Sequence, residues 1–180
     1  MDPNPDTAIT LKDYMPLIGV VIGGLLAVVG GFASTIFIEW RRNSRESRQL
    51  AFAFRGELQA LSTIAKKRGY VKHIQTMIEI MEQTKQPMFV QIHVRREYFN
   101  VFNSNVNNIG ALKNPLPELI ARFYVQANSI LEDLQSYRDG TWSNANVESL
   151  IGSKKELVSL MQETFSLADD IVDKIGRLYS

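Results

Sequence analysis

The feature that most constrains this chain is a run of 22 residues, 17–38, that contains no charged, histidine or amide side chain. A helix of about 20 residues crosses a hydrocarbon layer of ~30 Å at 1.5 Å per residue. A buried core helix is usually shorter and has a polar face, and a cleaved signal peptide has a shorter apolar segment that follows basic residues. The run therefore predicts a transmembrane helix that is kept in the mature protein.

Charges beside this run predict its orientation. The preceding segment has three aspartates and one lysine, whereas four arginines follow the run, at Arg41, Arg42, Arg45 and Arg48. The side richer in lysine and arginine faces the cytoplasm. We therefore expect residues 1–16 to form a short extracytoplasmic tail and residues 39–180 to lie inside a bacterial cell, at its inner membrane. Trp40 is expected at the headgroup level, where the arginines would also attract anionic lipid.

Small residues recur every fourth position within the run, at Gly19, Gly23, Ala27 and Gly31. On a helix these residues form one narrow stripe, which lets two helix backbones approach closely in lipid. Glycine is also common in membrane helices without such a role. We expect the stripe to pack against a second copy of the chain or against another membrane protein.

Charge is distributed unevenly along the remaining chain. Residues 39–96 contain 12 Lys and Arg against 5 Asp and Glu, net +7, and residues 97–180 contain 7 against 11, net −4. A basic half next to the run is typical of a domain that stands on an anionic leaflet. We expect a basic stalk helix over residues 39–68 and a cytoplasmic helical bundle over residues 69–180. Proximity to the membrane explains the basic half, so no nucleic acid is expected as a partner.

Apolar spacing and helix-breaking residues predict the remaining elements. The stalk helix should end at Gly69, because basic residues followed by glycine mark a helix end. Further helices are expected over residues 70–85, 98–109, 117–138 and 146–179, and residues 88–94 are expected to form a loop or the start of a helix. The last helix has one apolar stripe, which could pack against the stalk helix or against a copy of itself, and packing within the chain is expected. Its members are Leu150, Leu157, Met161, Thr164, Ala168, Ile171, Ile175 and Leu178. The expected fold is all-α: one N-terminal transmembrane helix that continues into an antiparallel cytoplasmic bundle of about four helices.

Asparagine is unusually dense in the predicted third helix, where it fills five of the ten positions 99–108. Helical spacing places four apolar residues on one face, Phe99, Phe102, Val106 and Ile109. It places Asn100, Asn103 and Asn107 on another. That face is either an ordinary polar outer surface or a row of amides that enters a groove and binds a partner backbone or a small polar ligand, close to Tyr124.

Known catalytic and metal-binding patterns are missing from the sequence. There is no cysteine, and His73 and His93 are 20 residues apart. The acidic cluster Asp169, Asp170 and Asp173 lacks the alternating ligands of a calcium loop and is expected to be a solvated face. No nucleophile motif or phosphate-binding loop occurs. We therefore expect a protein without catalytic activity, cofactor or bound metal.

Residues 98–124 resemble a pattern found in uncharacterised bacterial proteins that have one membrane span and an α-helical cytoplasmic domain. The resemblance depends on the asparagines near Asn108, on Gly110 and Leu112, and on the Phe123-Tyr124 pair. It implies a bacterial source and an all-α fold, and it implies no activity. On physical grounds Gly110 is expected to form a left-handed helix cap that returns Leu112 to the core beside Phe123.

Three functions agree with these features. The first is a single-pass membrane protein that presents a helical docking module at the cytoplasmic face, by self-association or within a larger complex. The second is a cytoplasmic sensor whose bundle encloses a small ligand near Asn103, Asn107 and Tyr124. The third is a membrane-disrupting effector whose glycine-rich helices assemble into a pore.

Overall fold

The computed structural model describes residues 11–89, 98–139, 141–142 and 145–180. Within residues 11–35 it describes the backbone, and it describes the exposure of Gly31 alone. The helices are α1 (Leu11–Arg68), α2 (Tyr70–Thr84), α3 (Asn100–Asn105), α4 (Leu116–Arg138) and α5 (Val147–Leu178), and a 3-10 helix, Val106–Ala111, follows α3. The described residues contain no strand. The prediction of an all-α fold with about four helices is therefore confirmed for the described part of the chain.

Helix ends outside the asparagine-rich segment lie close to the predicted bounds. Gly69 separates α1 from α2 and has a left-handed backbone with φ 63°. Lys85 ends α2 with φ 55°, and its N–H donates to the Met81 carbonyl. Pro117 occupies the first turn of α4 as predicted. A backbone N–H has no partner within the helix at that position, so proline costs no hydrogen bond there. Asn146 caps α5 by accepting a hydrogen bond from the Ser149 N–H at 2.7 Å.

The chain divides into two compact units, Met1–Arg45 and Glu46–Ser180. Residues 46–68, which the sequence placed in a stalk, belong to the second unit. There Ala51, Phe54 and Leu58 are fully buried. This second part of α1 thus contributes to the core of the bundle.

For the predicted transmembrane segment, most side chains (residues 17–30 and 32–35) lie outside the described residues. Within the described residues, no helix is both long enough and apolar enough to cross a membrane.

The Glu46–Ser180 unit has two apolar clusters. The first joins α1, α4 and the C-terminal half of α5, and the second joins α2, the end of α4 and the N-terminal half of α5. Helix α5 serves both through one stripe of residues that are all at most 2% exposed: Leu150, Leu157, Met161, Thr164, Ala168, Ile171 and Ile175. This stripe is the predicted one except at its last member, Leu178, which is only partly buried. The apolar stripe of α5 therefore packs against other helices of the same chain.

The asparagine-rich segment differs from its prediction as one α-helix over residues 98–109. It forms one and a half turns of α-helix and then the 3-10 helix. Phe99 and Ile109 are buried as expected, but Val106 is 50% exposed, because the tighter 3-10 winding removes it from the shared face. Asparagine side chains compete for backbone groups, and the Asn105 amide donates to the Val101 carbonyl at 2.8 Å.

The left-handed cap predicted at Gly110 is also wrong, since among the described residues only Gly69 and Lys85 have positive φ. The segment instead leaves its 3-10 helix through an extended Leu112. Leu112 does return to the core as predicted, in the same cluster as Phe123.

Candidate functional site

Large apolar side chains are exposed where the uncharged run ends. Ile36, Phe37 and Ile38 are 58–66% exposed and Trp40 is 68% exposed, with the Phe37 and Trp40 rings 6.3 Å apart. The four arginines that follow, Arg41, Arg42, Arg45 and Arg48, are exposed too. Soluble monomers rarely expose adjacent large apolar side chains outside an interaction surface. Along the helix, exposed apolar side chains are therefore followed by exposed cationic ones.

The small-residue stripe is described at one position only. Gly31 is exposed, whereas the side-chain surroundings of Gly19, Gly23 and Ala27 lie outside the described residues. Packing through this stripe stays a prediction.

The asparagine face and Tyr124 do not come together as one site. Asn100, Asn103 and Asn107 are exposed, which is the polar outer surface that was one of the two alternatives. Tyr124 is fully buried. The amides therefore present a polar surface to solvent, and a ligand held jointly by Asn103, Asn107 and Tyr124 has no support in this geometry.

Tyr124 lies at the centre of an aromatic cluster. Its ring stacks on Phe102 with centroids 3.9 Å apart and meets three further phenylalanines edge-on, Phe54, Phe99 and Phe123. Such pairs add about 0.5–1.5 kcal/mol each beyond the burial of their area. The cluster connects α1, the α3 segment and α4, so it holds the asparagine-rich segment on the bundle.

Glu57 provides the polar partner of this cluster. One carboxylate oxygen accepts from the Tyr124 hydroxyl at 2.5 Å and the other accepts from the Val101 N–H at 2.5 Å. Burial, followed by the hydrogen bond and the negative charge of Glu57, raises the pKa of Tyr124 far above its ordinary value. The hydroxyl thus stays a donor, and the contact positions α3 rather than supplying a reactive group.

Glu57 was not among the residues predicted from the sequence, although a signal for it was present. Glu57 is three residues after Phe54 and four before Leu61, so it lies on the apolar stripe of α1. A carboxylate on an apolar stripe requires a buried donor, because unpaired burial is costly. The donor itself, Tyr124, is 67 residues away in sequence.

Lys154 is the second group that the sequence did not identify. It is fully buried on α5, and its Nζ has no hydrogen-bond partner among the described residues and lies 3.8 Å from the Tyr137 ring centroid. Burial lowers the pKa of Lys154 from 10.5 to about 8. The ammonium therefore rests on a cation–π contact, within a cluster that is otherwise apolar.

Histidines and acidic clusters offer no metal centre within the described residues, where no three His, Asp or Glu side chains lie close enough to share an ion. His73 is exposed, and His93 lies outside the described residues. Asp169 pairs with Lys66 at 2.6 Å and accepts from Ser62 at 3.3 Å, so it connects α5 to α1. Asp170 pairs with Lys174 at 2.5 Å.

Comparison with known proteins adds no assignment to this geometry. No protein-family model, no curated protein and no solved structure matches the chain.

Proposed function

We propose that this chain is a single-pass membrane protein that presents its helical bundle as a docking module at the cytoplasmic face of a bacterial inner membrane. Residues 17–38 cross the bilayer in this proposal, residues 1–16 lie outside, and Glu46–Ser180 forms the module. The module works by binding and positioning other proteins, as a self-associated oligomer or as a subunit of a larger complex.

The observation that carries this proposal is the exposed segment at the end of the uncharged run. Ile36, Phe37 and Ile38 continue the apolar run, and Trp40 is followed within eight residues by four arginines. A Trp at the headgroup level and adjacent cationic side chains are typical of the cytoplasmic end of a membrane helix. Each arginine near an anionic surface adds about 1 kcal/mol of attraction.

Two surfaces are available for docking in this proposal. Within the bilayer, the stripe of Gly19, Gly23, Ala27 and Gly31 allows close approach of a second helix. On the bundle, the exposed amides of Asn100, Asn103 and Asn107 offer donors and acceptors to a partner backbone. Their segment is held on the core by the Tyr124 cluster, so a partner would meet a rigid surface.

Membrane anchoring is tested by fractionation of cells that express the full chain. We expect the protein in carbonate-washed membranes, and we expect L25R/L26R to move to the aqueous fraction, because each central arginine costs about 2.5–3.5 kcal/mol of insertion. The matched control L25A/L26A should stay in the membrane. Recovery of the unaltered chain in the aqueous fraction would refute the proposal.

Orientation is tested with a peptide tag after Ser180. The tag should resist external protease in intact spheroplasts and become sensitive after permeabilisation. Cleavage in intact spheroplasts would place the bundle outside and contradict the docking proposal.

Association through the small-residue stripe is tested by cross-linking in native membranes. Gly23→Leu should lower the yield of cross-linked protein at least about tenfold, because a larger side chain separates the two helix backbones. Val21→Leu, two residues away and off the stripe, is the matched control and should cross-link as before. Equal cross-linking by both variants would exclude the stripe as the contact.

A further inference from the structure

A cavity of about 110 Å³ lies inside the Glu46–Ser180 unit, where the two apolar clusters meet. All four long helices contribute to its wall, through residues such as Leu61, Tyr70, Phe123 and Met161. Tyr98 also lines it and is 43% exposed, so the cavity has an opening to the surface there. A molecule could therefore enter without separation of the helices.

The wall offers little to water or to an ion. Its two buried hydroxyls already have protein partners: Ser62 donates to Asp169 at 3.3 Å, and Thr164 donates to the Leu160 carbonyl at 2.7 Å. A buried water needs two to four polar partners, and a buried charge needs an opposite charge. An apolar occupant needs neither.

Two small residues keep this space open. Ala127 lies one helical turn after Phe123 and one turn before Leu131 on the same face of α4, and all three line the cavity. Ala65 lines it from α1. A leucine at position 127 would fill the cavity. The cavity therefore exists because alanine, a small residue, stands between Phe123 and Leu131 on this face of α4.

We propose that this cavity is a binding site for a small neutral hydrocarbon group, either a single aromatic ring or the end of an acyl chain. Its volume is of the same order as an engineered apolar cavity of roughly 150 Å³ that binds benzene or xenon. Phe123 and Phe165 offer ring edges and faces to an aromatic occupant, and the Met161 sulfur adds a favourable contact with a ring. This site is distinct from the asparagine surface and does not depend on membrane anchoring.

The test measures benzene binding by thermal shift of the full chain, in one detergent at fixed concentration so that micelles take up the same benzene for every variant. We expect benzene to raise the melting temperature of the unaltered chain with a saturable dose dependence. Ala127→Leu should weaken the apparent affinity for benzene at least about tenfold, because the leucine side chain would occupy the cavity. Ala121→Leu, on the exposed side of the same helix, is the matched control and should bind as the unaltered chain does.

Xenon provides a measurement that needs no variant. In crystals of the full chain under xenon pressure, density is expected between Phe123 and Met161. Absence of xenon from this cavity, or equal benzene affinity of Ala127→Leu and the unaltered chain, would overturn the proposal.

Octanoate distinguishes the two kinds of ligand, an aromatic ring and an acyl chain. Competition of octanoate with benzene would indicate that the cavity takes acyl chains. Benzene binding that octanoate does not reduce would restrict the site to free ring compounds. Both results require the site to exist, and neither depends on where the protein resides in the cell.

Discussion

At the scale of single residues, Lys154 is the group whose environment is least favourable. It lies on the apolar stripe of α5, four residues after Leu150 and three before Leu157. Among the described residues, its ammonium contacts the Tyr137 ring and has no hydrogen-bond partner. Cation–π contacts contribute about 0.5–2 kcal/mol, less than the cost of burying an ammonium ion. Lys154 is therefore expected to lower the stability of the bundle at neutral pH.

Lys154→Met should raise the free energy of unfolding at pH 7 by about 1.5–3 kcal/mol. The pKa difference is worth about 1.4 kcal/mol per pKa unit, and loss of the Tyr137 contact offsets about 0.5–2 kcal/mol of that gain. The folded-state pKa of Lys154 is about 8 and the unfolded value is 10.5, so between these values the unfolded chain binds more protons. Stability of the unaltered chain should thus rise with pH from about 8 to 10.5, and Lys154→Met should remove this part of the rise. Denaturant unfolding at several pH values measures both effects.

Lys155→Met is the matched control, because the neighbouring lysine is 58% exposed and pairs with Glu82 on the surface. Its effect should stay within about 0.5 kcal/mol at every pH. A destabilising Lys154→Met at pH 7 would mean that the Tyr137 contact outweighs the burial of the charge.

At the scale of elements, glycine has different roles at three positions where the surrounding space is equally open. A Cβ added at Gly56, Gly69 or Gly110 would meet no atom within 4 Å beyond the adjoining residues and the backbone of its own helix. Only Gly69 has a positive φ, at the junction of α1 and α2. Backbone conformation alone therefore decides which of these glycines is required.

Gly69→Ala should lower the free energy of unfolding by about 1–2 kcal/mol, because alanine is strained in the left-handed region. Gly56→Ala, inside α1, should instead raise it by about 0.5–1 kcal/mol, because alanine favours helix over glycine. Urea unfolding of the two variants compares them directly. Stabilisation by Gly69→Ala would show that the junction adopts another conformation in solution.

At the scale of the whole molecule, Tyr179 connects the two ends of the Glu46–Ser180 unit. Its hydroxyl lies 2.7 Å from the Ser47 hydroxyl and accepts from the Lys113 N–H at 2.9 Å. The Lys113 ammonium lies 4.8 Å from the Tyr179 ring centroid and donates to the Leu178 carbonyl at 2.6 Å. The start of the unit, the connection before α4 and the end of α5 thus meet at one phenol.

Tyr179→Phe should destabilise the bundle by about 1–3 kcal/mol, because the buried Ser47 hydroxyl and the Lys113 N–H lose a shared partner while the ring remains. Tyr98→Phe, which removes a hydroxyl from a 43% exposed side chain, should change stability by less than about 0.5 kcal/mol. Denaturant midpoints of the two variants provide the comparison. Equal effects would show that the Tyr179 hydroxyl does not join these segments in solution.

The sequence by itself determined where α1 ends and where α4 and α5 begin, because apolar spacing, Gly69, Pro117 and Asn146 act within one or two turns of the chain. Its prediction of one helix across residues 98–109 was wrong, since weak helix formers there let side chains and tertiary packing decide the winding. The uncharged run at 17–38 is equally a property of sequence, and its place in a membrane stays a prediction.

Only the tertiary structure decided which polar groups are buried and where space remains. The Glu57–Tyr124 contact, the Lys154–Tyr137 contact and the cavity beside Ala127 each depend on distances between helices that are far apart in sequence. Helical periodicity reports which face of a helix is apolar, but it carries no information on which face of another helix meets it. For that reason the stripe on α5 was predictable, whereas its buried lysine and the hydrocarbon-sized opening were not.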